Sequence, residues 1–489
     1  MSNSQPKEPS LLDALIPIVS LVAMLGLSVY LFGSDSSSGP NQIVLTLGAA
    51  IAAIVAIQNG HPWAKILEAI VDGISTSMNA VLILLSVGAL IGTWLMAGTV
   101  PSLIYYGLEI LNPQWFYVAA CLICAISALS TGSSWTVAGT LGVALIGVSM
   151  GLGLSPEIAA GAIISGAYFG DKMSPLSDTT NLAPAVAQTD LFTHIKHMTW
   201  TTTPSFIIAL ILFTIVGLGA DASADSDALV RLSATLQDSF NITPLALLPL
   251  VVVFAMAFRK VPPLPTILFG ALFGGFVALV LQPDVVLTFA GSPELDRGLA
   301  MTKGVWLALA NGYVSTTGVP EVDDLLTRGG MSSMLVTIWL ILTAMAFGAV
   351  LEHSGMLMRL IQSALKAARS TGSLVMTVAL SAIGINIVAA DQYIAIVLPG
   401  KMFKAEFQRR GLKPKNLSRV IEDSGTLTSP LVPWNTCGAY MAATLGVATL
   451  AYLPFVFFNL INPVISVIYG FTGFTIERLD NAGAEPATA

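Results

Sequence analysis

Long apolar runs, separated by short polar segments, dominate the chain and predict helices that cross a membrane. A crossing helix needs about 20 mostly apolar residues. Runs of this kind lie at 12–33, 42–58, 78–98, 199–219, 244–258, 265–281, 332–352 and 452–473. The composition agrees, because 55% of the 489 residues are hydrophobic and only 10% are charged, whereas a soluble domain carries roughly 25% charged residues. We therefore expect an all-α, polytopic membrane protein.

Two further apolar segments, at 157–187 and 416–446, are interrupted by polar residues, glycines and prolines. The first interruption is FGDKMSPLSDTTNLAP, at 169–184. Backbone groups that proline and glycine free from helical hydrogen bonding cannot face lipid, but they are tolerated where they line a cavity. We therefore interpret both segments as broken helices that line a site inside the membrane.

Two pairs of shorter apolar segments predict hairpins. They are 115–129 with 134–150, and 373–388 with 392–404. Because about 15 residues of helix are short for a full crossing, we interpret each pair as a re-entrant hairpin. Two full crossings per pair is the alternative.

The second half of the chain repeats the pattern of the first. ALIPIVSLVAM from Ala14 resembles ALLPLVVVFAM from Ala246, and the SPL of 174–176 recurs at 429–431. Other short matches follow in the same order. A shared order favours duplication over chance similarity between apolar segments.

Lysine and arginine are distributed oppositely in the two halves. None occurs between Gly98 and Gly170, whereas the matching region of the second half carries many, from Arg359 to Arg419. Because cytoplasmic loops are enriched in Lys and Arg, we predict two inverted-topology repeats. Each would hold three helices, a re-entrant hairpin, a broken helix and a final helix, giving about ten crossing helices and two hairpins.

This topology predicts how the chain is divided, with both termini in the cytoplasm. The segments are a cytoplasmic tail at 1–10, a first repeat at 11–219, an external acidic linker at 220–243, a second repeat at 244–475 and a cytoplasmic tail at 476–489.

The stretch SPLSDTTN, at 174–181, is the candidate ion site. Hard cations such as Na⁺ take oxygen ligands, and inverted repeats with broken helices are typical of secondary transporters. A carboxylate that holds either Na⁺ or a proton is sufficient for exchange, and Asp178 is our first candidate. The alternative for Asp178 is a carboxylate that caps the following helix. The other candidate ion ligands are Asp171, Thr179, Thr180, Asn181, Asp391, Asn435 and Thr436. At the first hairpin tip, the hydroxyls of Ser130, Thr131, Ser133 and Ser134 either complete the ion shell or satisfy a tight turn.

Three charged residues near these candidates are expected to form ion pairs or to modulate the site. Lys172 either pairs with Asp171 or replaces the cation in an empty site. Glu422 and Asp423 precede the second break, and the alternative for one of them is an ion pair with Arg419.

Other chemistries find no support in the sequence. It has no Walker-type GxxxxGK[ST] motif, no nucleophile–base arrangement of an enzyme and no Cys/His cluster for zinc or copper. We interpret Cys121 and Cys124 as apolar packing, and His194 and His197 as ordinary surface residues. We expect no cofactor and no nucleic-acid partner. A channel could use the same oxygens, but hairpins and broken helices favour alternating access.

Three segments carry a resemblance to a known family. SGAYFGDKMSPLSDTTNLAPAVAQTDLFTHIKHM, IEDSGTLTSPLVPWNTCGAYMAATLGV and LLSVGALIGTWLMAGTVPSLIYYGL resemble signature regions of the NhaC-type sodium/proton antiporter family. The similarity spans roughly residues 11–475, and the first motif is long and specific.

This resemblance implies an antiporter of the bacterial inner membrane within the wider ion transporter superfamily. It also implies a scaffold and a transport domain, elevator-like movement, a homodimer and contact with membrane lipids. Na⁺ and H⁺ are the implied substrates. Some relatives in this family exchange organic acids or carry amino acids with sodium, so a sodium-coupled transporter or exchanger of a small organic anion or amino acid is the alternative.

Overall fold

The computed structural model describes residues 6–33, 36, 38–219 and 226–479. Within those residues the chain is helical, and its extended pairing is limited to two isolated bridges, Tyr313 with Arg328 and Leu412 with Arg478. Nine helices in this part of the chain are long and apolar enough to cross a membrane, or up to eleven if each bent pair is one span. The predicted all-α, polytopic membrane class is confirmed.

The first half begins with a capped helix and ends with a long one. Ser10 caps α1 by accepting a hydrogen bond from the Asp13 amide, and Asp190 caps α10 in the same way through Thr193, as oxygen-bearing side chains commonly do. The helices of this half are α1 (Leu11–Phe32), α2 (Pro40–Gln58), α3 (Trp63–Thr76), α4 (Met78–Met96), α5 (Thr99–Ile110), α6 (Phe116–Thr131), α7 (Ser134–Gly151), α8 (Pro156–Met173), α9 (Asp178–Ala187) and α10 (Leu191–Leu218).

The second half follows a helix in the predicted linker, α11 (Ser226–Ser239); residues 220–225 of that linker lie outside the described residues. The helices that follow are α12 (Leu248–Phe258), α13 (Pro263–Leu281), α14 (Pro283–Ala290), α15 (Arg297–Asn311), α16 (Pro320–Leu326), α17 (Leu335–His353), α18 (Met356–Ala367), α19 (Thr371–Val388), α20 (Gln392–Arg409), α21 (Pro414–Ile421), α22 (Thr436–Leu445) and α23 (Phe457–Thr472).

The two halves share an order of elements. Gly98 joins α4 to α5, and Gly355 joins α17 to α18. Both have left-handed backbones, with φ of 74° and 75°, a conformation that favours glycine. A hairpin, a broken helix and a last helix follow each glycine in turn. This order agrees with duplication, while the inverted orientation and the domain boundaries stay predictions.

The hairpin helices are longer than the sequence pattern predicted. The first hairpin joins α6 to α7, and the second joins α19 to α20; α7, α19 and α20 each have 18 residues. A helix of 18 residues is about 27 Å long, close to the thickness of the bilayer core. A helix of this length suits a full crossing as well as half of a re-entrant hairpin, so helix length does not separate the two interpretations. The re-entrant interpretation therefore depends on whether the hairpin tips lie within the membrane.

Both predicted breaks are present. In the first, α8 ends at Met173 and α9 begins at Asp178, with Pro175 between them. In the second, α21 runs into a π-helical turn at Glu422–Thr426, and α22 begins at Thr436. Proline has no N–H to donate, so the chain between the helices leaves main-chain carbonyls free.

Packing divides the helices into two groups, each built from both halves. In the first group, which we call the frame (α1–α4 and α12–α17), α4 packs on α13 and α17 packs on α2 and α3. In the second, which we call the site helices (α6–α10 and α19–α23), α10 packs on α6, α21 and α23, and α23 packs on α19 and α8. Helices α5 and α18 contact both groups.

Close backbone contact joins the first hairpin to the first broken helix. A Cβ atom at Gly166 or Gly170 of α8 would overlap the backbone of α6 at Cys121 and Ala125. Cys121 and Cys124 are buried free cysteines, which agrees with their interpretation as packing residues.

The segment that follows α23 folds back on the site helices. We call residues 473–479 the C-terminal strap. The Lys413 amide donates to the Glu477 carbonyl at 3.0 Å, and the Leu479 amide donates to the Gly411 carbonyl at 2.7 Å. A bond from Lys415 holds the pKa of the Glu477 carboxyl below its usual range. The strap is thus attached to the start of α21, where Lys413 and Lys415 lie.

Candidate functional site

A cavity of about 600 Å³ lies where both hairpin tips meet both breaks; we call it the central cavity. The site helices contribute residues 131–136, 176–179, 391–393 and 436–437, with Asp171, and the frame contributes residues within 76–83 and 257–266. The predicted ion ligands that line it are Asp171, Asp178, Asp391, Thr131, Ser133, Thr179 and Thr436. The predicted residues outside its lining are Ser130, Thr180, Asn181, Asn435, Lys172, Glu422 and Asp423.

Asp178 faces this cavity as the first residue of α9, and its side chain is exposed. Ser177 caps the helix instead, since its hydroxyl accepts from the Thr180 amide at 3.4 Å. No donor among the described residues binds the Asp178 carboxylate. The carboxylate is therefore available to a ligand, and the capping role falls to its neighbour.

Asp171 lies near the end of α8 and is almost fully buried. Its Oδ2 accepts two hydrogen bonds from Ser134 at the first hairpin tip, one from the amide at 3.1 Å and one from the hydroxyl at 2.6 Å. The hydroxyl of Ser177 also lies beside this carboxylate. Asp171 thus joins the first hairpin tip to the first break.

Two predicted ligands of the first break satisfy its backbone. The Thr180 hydroxyl donates to the Lys172 carbonyl at 3.0 Å, and the Asn181 amide donates to the carbonyls of Pro175 and Ser177 at 2.9 and 2.7 Å. The carbonyls of Lys172 and Pro175 are freed by the break, whereas that of Ser177 also accepts from the Asn181 backbone amide, so both side chains hold the loop in shape. Thr179 differs, because it lines the cavity.

The predicted hydroxyls of the first hairpin tip are also engaged locally. Ser130 and Thr131 donate to carbonyls one turn earlier in α6, at 2.8 and 2.9 Å. The Ser133 hydroxyl caps α7 by accepting from the Thr136 amide at 3.1 Å. Thr131 and Ser133 still border the cavity, whereas Ser130 does not.

Asp391 holds the equivalent place at the second hairpin tip. It caps α20, and its Oδ1 accepts from the Ile394 amide at 2.8 Å. Ala390, just before it, has a left-handed φ of 57°, which is strained for a residue other than glycine and typical of functional sites. The Ala390 carbonyl accepts from the Thr436 amide at 3.0 Å, so the tip is attached to the start of α22.

Asn435 is a buried capping residue of α22. Its Oδ1 accepts from the Cys437 amide at 3.0 Å, and its Nδ2 donates to Asn386 Oδ1 at 3.1 Å. The side chain has its partners within the protein. Its neighbour Thr436 is the residue of this pair that lines the cavity.

Lys172 forms an ion pair, but not with Asp171, so that predicted pairing was wrong, while replacement of the cation by Lys172 in an empty site stays a prediction. Its ammonium group binds Asp423 of the second half, and both side chains are fully buried. The same Asp423 oxygen accepts from Thr201 at 3.2 Å and from Asn462 at 3.3 Å. The geometric reason is that Lys172 and Asp171, as consecutive residues of a helix, point in different directions.

The alternative pairing with Arg419 is also wrong. The Arg419 guanidinium is buried and donates to Thr475 of the C-terminal strap at 2.7 Å. Glu422 is fully buried, and neither of its carboxylate oxygens has a hydrogen-bond partner among the described residues. Glu422 lies in a π-helical turn, a feature frequent at functional sites.

His194 and His197 are buried, so their interpretation as surface residues was wrong. His194 Nδ1 lies 2.8 Å from the Ser418 hydroxyl, and His197 Nδ1 lies 4.0 Å from Glu477. Both residues belong to α10, which packs on α21. Packing of these helices covers a segment whose sequence resembles a basic surface loop.

Ser134, one of the predicted residues of the first hairpin tip, binds Asp171. Tyr393, Lys260 and Trp135 were missing from the predicted set, and all three line the cavity. Trp135 stacks on Tyr440 of the second half, with ring centroids 4.0 Å apart. A signal existed for Trp135 and Tyr393, since each is an aromatic residue within two positions of a polar hairpin tip; the contact partners carry no local signal.

The charge and chemistry of the lining favour a cation. Three carboxylates and several hydroxyls border the cavity, against the ammonium group of Lys260. Within the described ranges no three acidic, histidine or cysteine side chains come close enough to hold one metal ion. A cation at any one carboxylate would therefore complete its coordination with hydroxyl or main-chain oxygens, which suits Na⁺.

Comparison with known proteins identifies the family. The profile of the Na⁺/H⁺ antiporter family matches residues 166–474. The Na⁺/H⁺ antiporter NhaC of Alkalihalophilus pseudofirmus is 40% identical over 89% of this chain and 91% of its own. The malate-2H⁺/Na⁺-lactate antiporter of Bacillus subtilis is 38% identical over 95% of both chains. The arginine/ornithine antiporter ArcD of Halobacterium salinarum is 35% identical over 97% of this chain and 94% of its own. From both the family profile and these relatives, the chain belongs to the Na⁺/H⁺ antiporter family.

Proposed function

We propose that this protein exchanges Na⁺ for H⁺ across the bacterial inner membrane. The observation that carries the proposal is the free carboxylate of Asp178, exposed in a cavity that Asp171 also lines. A carboxylate in such a place binds either a cation or a proton, so the two exclude each other. Membership of the Na⁺/H⁺ antiporter family supports the choice of these ions.

Coordination of Na⁺ would use oxygens that the first break supplies. Asp178 would provide the charge and Thr179 would provide a hydroxyl, because both line the cavity. Thr180 and Asn181 would keep the loop of the break in shape through their bonds to the Lys172 and Pro175 carbonyls. Binding a proton at the same carboxylate removes its charge and releases the ion.

Alternating access would come from movement of the site helices against the frame. The cavity lies between the two groups, because residues 76–83 and 257–266 of the frame face the hairpin tips. The packing of α10 and α23 on the hairpins supports including both in the moving unit. An elevator-like movement would then carry tips, breaks and bound ion together.

The open side of the cavity is proposed to face the cytoplasm. Lys260 lines it and follows Arg259 in the loop between α12 and α13. The distribution of Lys and Arg predicts that this loop is cytoplasmic. The strap, attached to the basic start of α21, supports a C-terminus on that same side. We further propose a homodimer surrounded by lipid.

A second candidate is exchange of a small organic ion coupled to sodium. The cavity volume of about 600 Å³ is in the range of small-molecule sites and exceeds the needs of a bare ion. Relatives named for malate, lactate, arginine and ornithine also favour this candidate. The carboxylate-rich lining favours a cationic or zwitterionic cargo over a dianion, with Lys260 as the partner for a substrate carboxylate.

The test is proton movement in proteoliposomes reported by a pH-sensitive dye. Addition of Na⁺ is expected to release protons from the lumen without any organic substrate. Competition at one carboxylate also predicts that apparent Na⁺ affinity falls about tenfold per pH unit below the pKa of the site. A response that requires malate, lactate, arginine or ornithine would instead establish the second candidate.

A further inference from the structure

The first hairpin tip holds four hydroxyl residues, but they do different things. The hydroxyls of Ser130 and Thr131 donate to their own helix, and that of Ser133 caps α7. Of the four, Ser134 alone binds a carboxylate of the central cavity. Sequence pattern does not distinguish Ser134 from its neighbours, whereas its contacts do.

The contact between Ser134 and Asp171 has a specific geometry. Both donors of Ser134, the amide at 3.1 Å and the hydroxyl at 2.6 Å, end on Oδ2. The second carboxylate oxygen, Oδ1, takes no part in these two bonds. Two donors that converge on Oδ2 restrain the position of that oxygen more closely than a single donor would.

The donor groups of this contact belong to a buried helix end. Ser134 is the first residue of α7, and it is only 2% exposed. A helix N-terminus carries partial positive charge and unpaired amides that favour a carboxylate. The Asp171 side chain is therefore held by a packed helix end and not by a mobile loop.

Among the described residues, no cation pairs with Asp171, because the adjacent Lys172 is bound to Asp423. The Ser177 hydroxyl lies beside the carboxylate within the first break, whereas the two bonds from Ser134 attach it to the hairpin tip. The orientation of the Asp171 carboxylate toward the cavity thus depends in part on the hairpin tip. Hydrogen bonds to charged groups are stronger than those between neutral groups, so losing one should alter how the carboxylate meets an ion.

We propose that Ser134 is a positioning residue for cation binding, which orients the Asp171 carboxylate toward the central cavity. This inference rests on the proposed Na⁺/H⁺ exchange, and it assigns Ser134 an effect on ion affinity and not on the rate of movement. It also makes ion affinity depend on the position of the first hairpin tip.

The experiment compares Ser134→Ala with the wild type in proteoliposomes. The variant keeps the amide donor and loses the hydroxyl. The apparent KM for Na⁺ is expected to rise about tenfold while the maximal rate stays within about twofold, because a hydrogen bond to a charged group contributes roughly the free energy of a factor of ten. Ser134→Thr retains the hydroxyl and is expected to recover most of the affinity.

Ser130→Ala is the matched control. It removes a hydroxyl from the same tip that donates only to its own helix, so its KM should equal that of the wild type. Melting temperature is measured for every variant. An unchanged KM in folded Ser134→Ala overturns the inference, as does a loss of rate at constant KM. A wild type that does not respond to Na⁺ overturns the proposed exchange itself, and this inference with it.

Discussion

Asp178 combines the features that a ligand for a transported cation needs. Its carboxylate is exposed to a cavity and free of hydrogen bonds from the described residues. Its neighbour Ser177 performs the capping that would otherwise explain an acid at this position. At these adjacent positions, Ser177 therefore stabilises the helix, and Asp178 is left available to bind an ion.

Asp178→Asn is expected to abolish Na⁺-dependent proton movement while the protein folds normally. The substitution keeps the size of the side chain and removes its charge and its proton. Dye-reported exchange and the melting temperature together measure the outcome. Asp190→Asn is the control, because Asp190 caps α10 outside the cavity and Asn is nearly as good a cap. Robust exchange in Asp178→Asn would move the exchange site to Asp171 or Asp391.

The buried ion pair of Lys172 and Asp423 is expected to be tolerated in the fold only while both partners are present. Removing one partner of a buried ion pair costs about 3–5 kcal/mol, whereas replacing both with neutral side chains costs much less. Lys172→Met and Asp423→Asn should each lower the melting temperature, and the double variant should recover most of the loss. Additive losses in the double variant would show that the two residues act independently.

Sequence reasoning located the carboxylates and hydroxyls of the site but not their partners. The polar stretch at 174–181 and the tip at Asp391 stand out against an apolar background, which is a local signal. The partner of Lys172 is separated from it by 251 positions, and adjacency in sequence suggested Asp171 instead. Pairing across halves depends on packing, so no local pattern could show it.

Among the elements, the breaks and hairpins were predictable and their lengths were not. Pro175 and Pro430 mark the two breaks, because proline interrupts helical hydrogen bonding. The helices of the second hairpin extend at the ends away from the tip, because α19 begins at Thr371 and α20 continues to Arg409. A hydropathy pattern ends α20 too early, since the residues that follow Lys404 include Glu406 and Arg409.

Cysteine labelling tests the predicted orientation of these elements. We expect segment 401–419 to be cytoplasmic and segment 149–156 to be external, since only the first is rich in Lys and Arg. Single cysteines at Gln408 and Met150, both exposed, would be labelled with impermeant thiol reagents. The native cysteines are buried and should give little background. Labelling of both positions from one side would contradict the inverted repeat.

Over the whole molecule, both groups of helices draw on both halves of the chain. The frame joins α4 to α13 and α17 to α2, and the site helices join α10 to α23. The duplication in the sequence predicts the order of these helices along the chain. Which helices pack together is set by contacts between the two halves. Helices α10 and α23, which follow the two broken helices, pack with the hairpins and so belong to the site helices.

A cross-link between the two groups is expected to stop exchange. Ser133 of the hairpin tip and Asn79 of the frame both line the central cavity. Paired cysteines at these positions, joined by a bifunctional thiol reagent, would fix the site helices to the frame. The same reagent applied to paired cysteines at Ser370 and Arg410, which are in contact at the ends of the second hairpin and lie outside the cavity lining, is the control and should leave exchange intact. Full activity with the first cross-link complete would count against elevator-like movement.

The distance in sequence between Lys172 and Asp423 also sets an order of events during synthesis. The two residues are 251 positions apart, and ribosomes add roughly 5–20 residues per second. A nascent chain therefore holds Lys172 for about 10–50 s before its partner exists. During this interval the first broken helix either waits at the membrane surface or enters with an unpaired charge. Chains that end before Asp423 are therefore expected to leave Lys172 without its partner, so the first broken helix reaches its final packing only after the second half has been made.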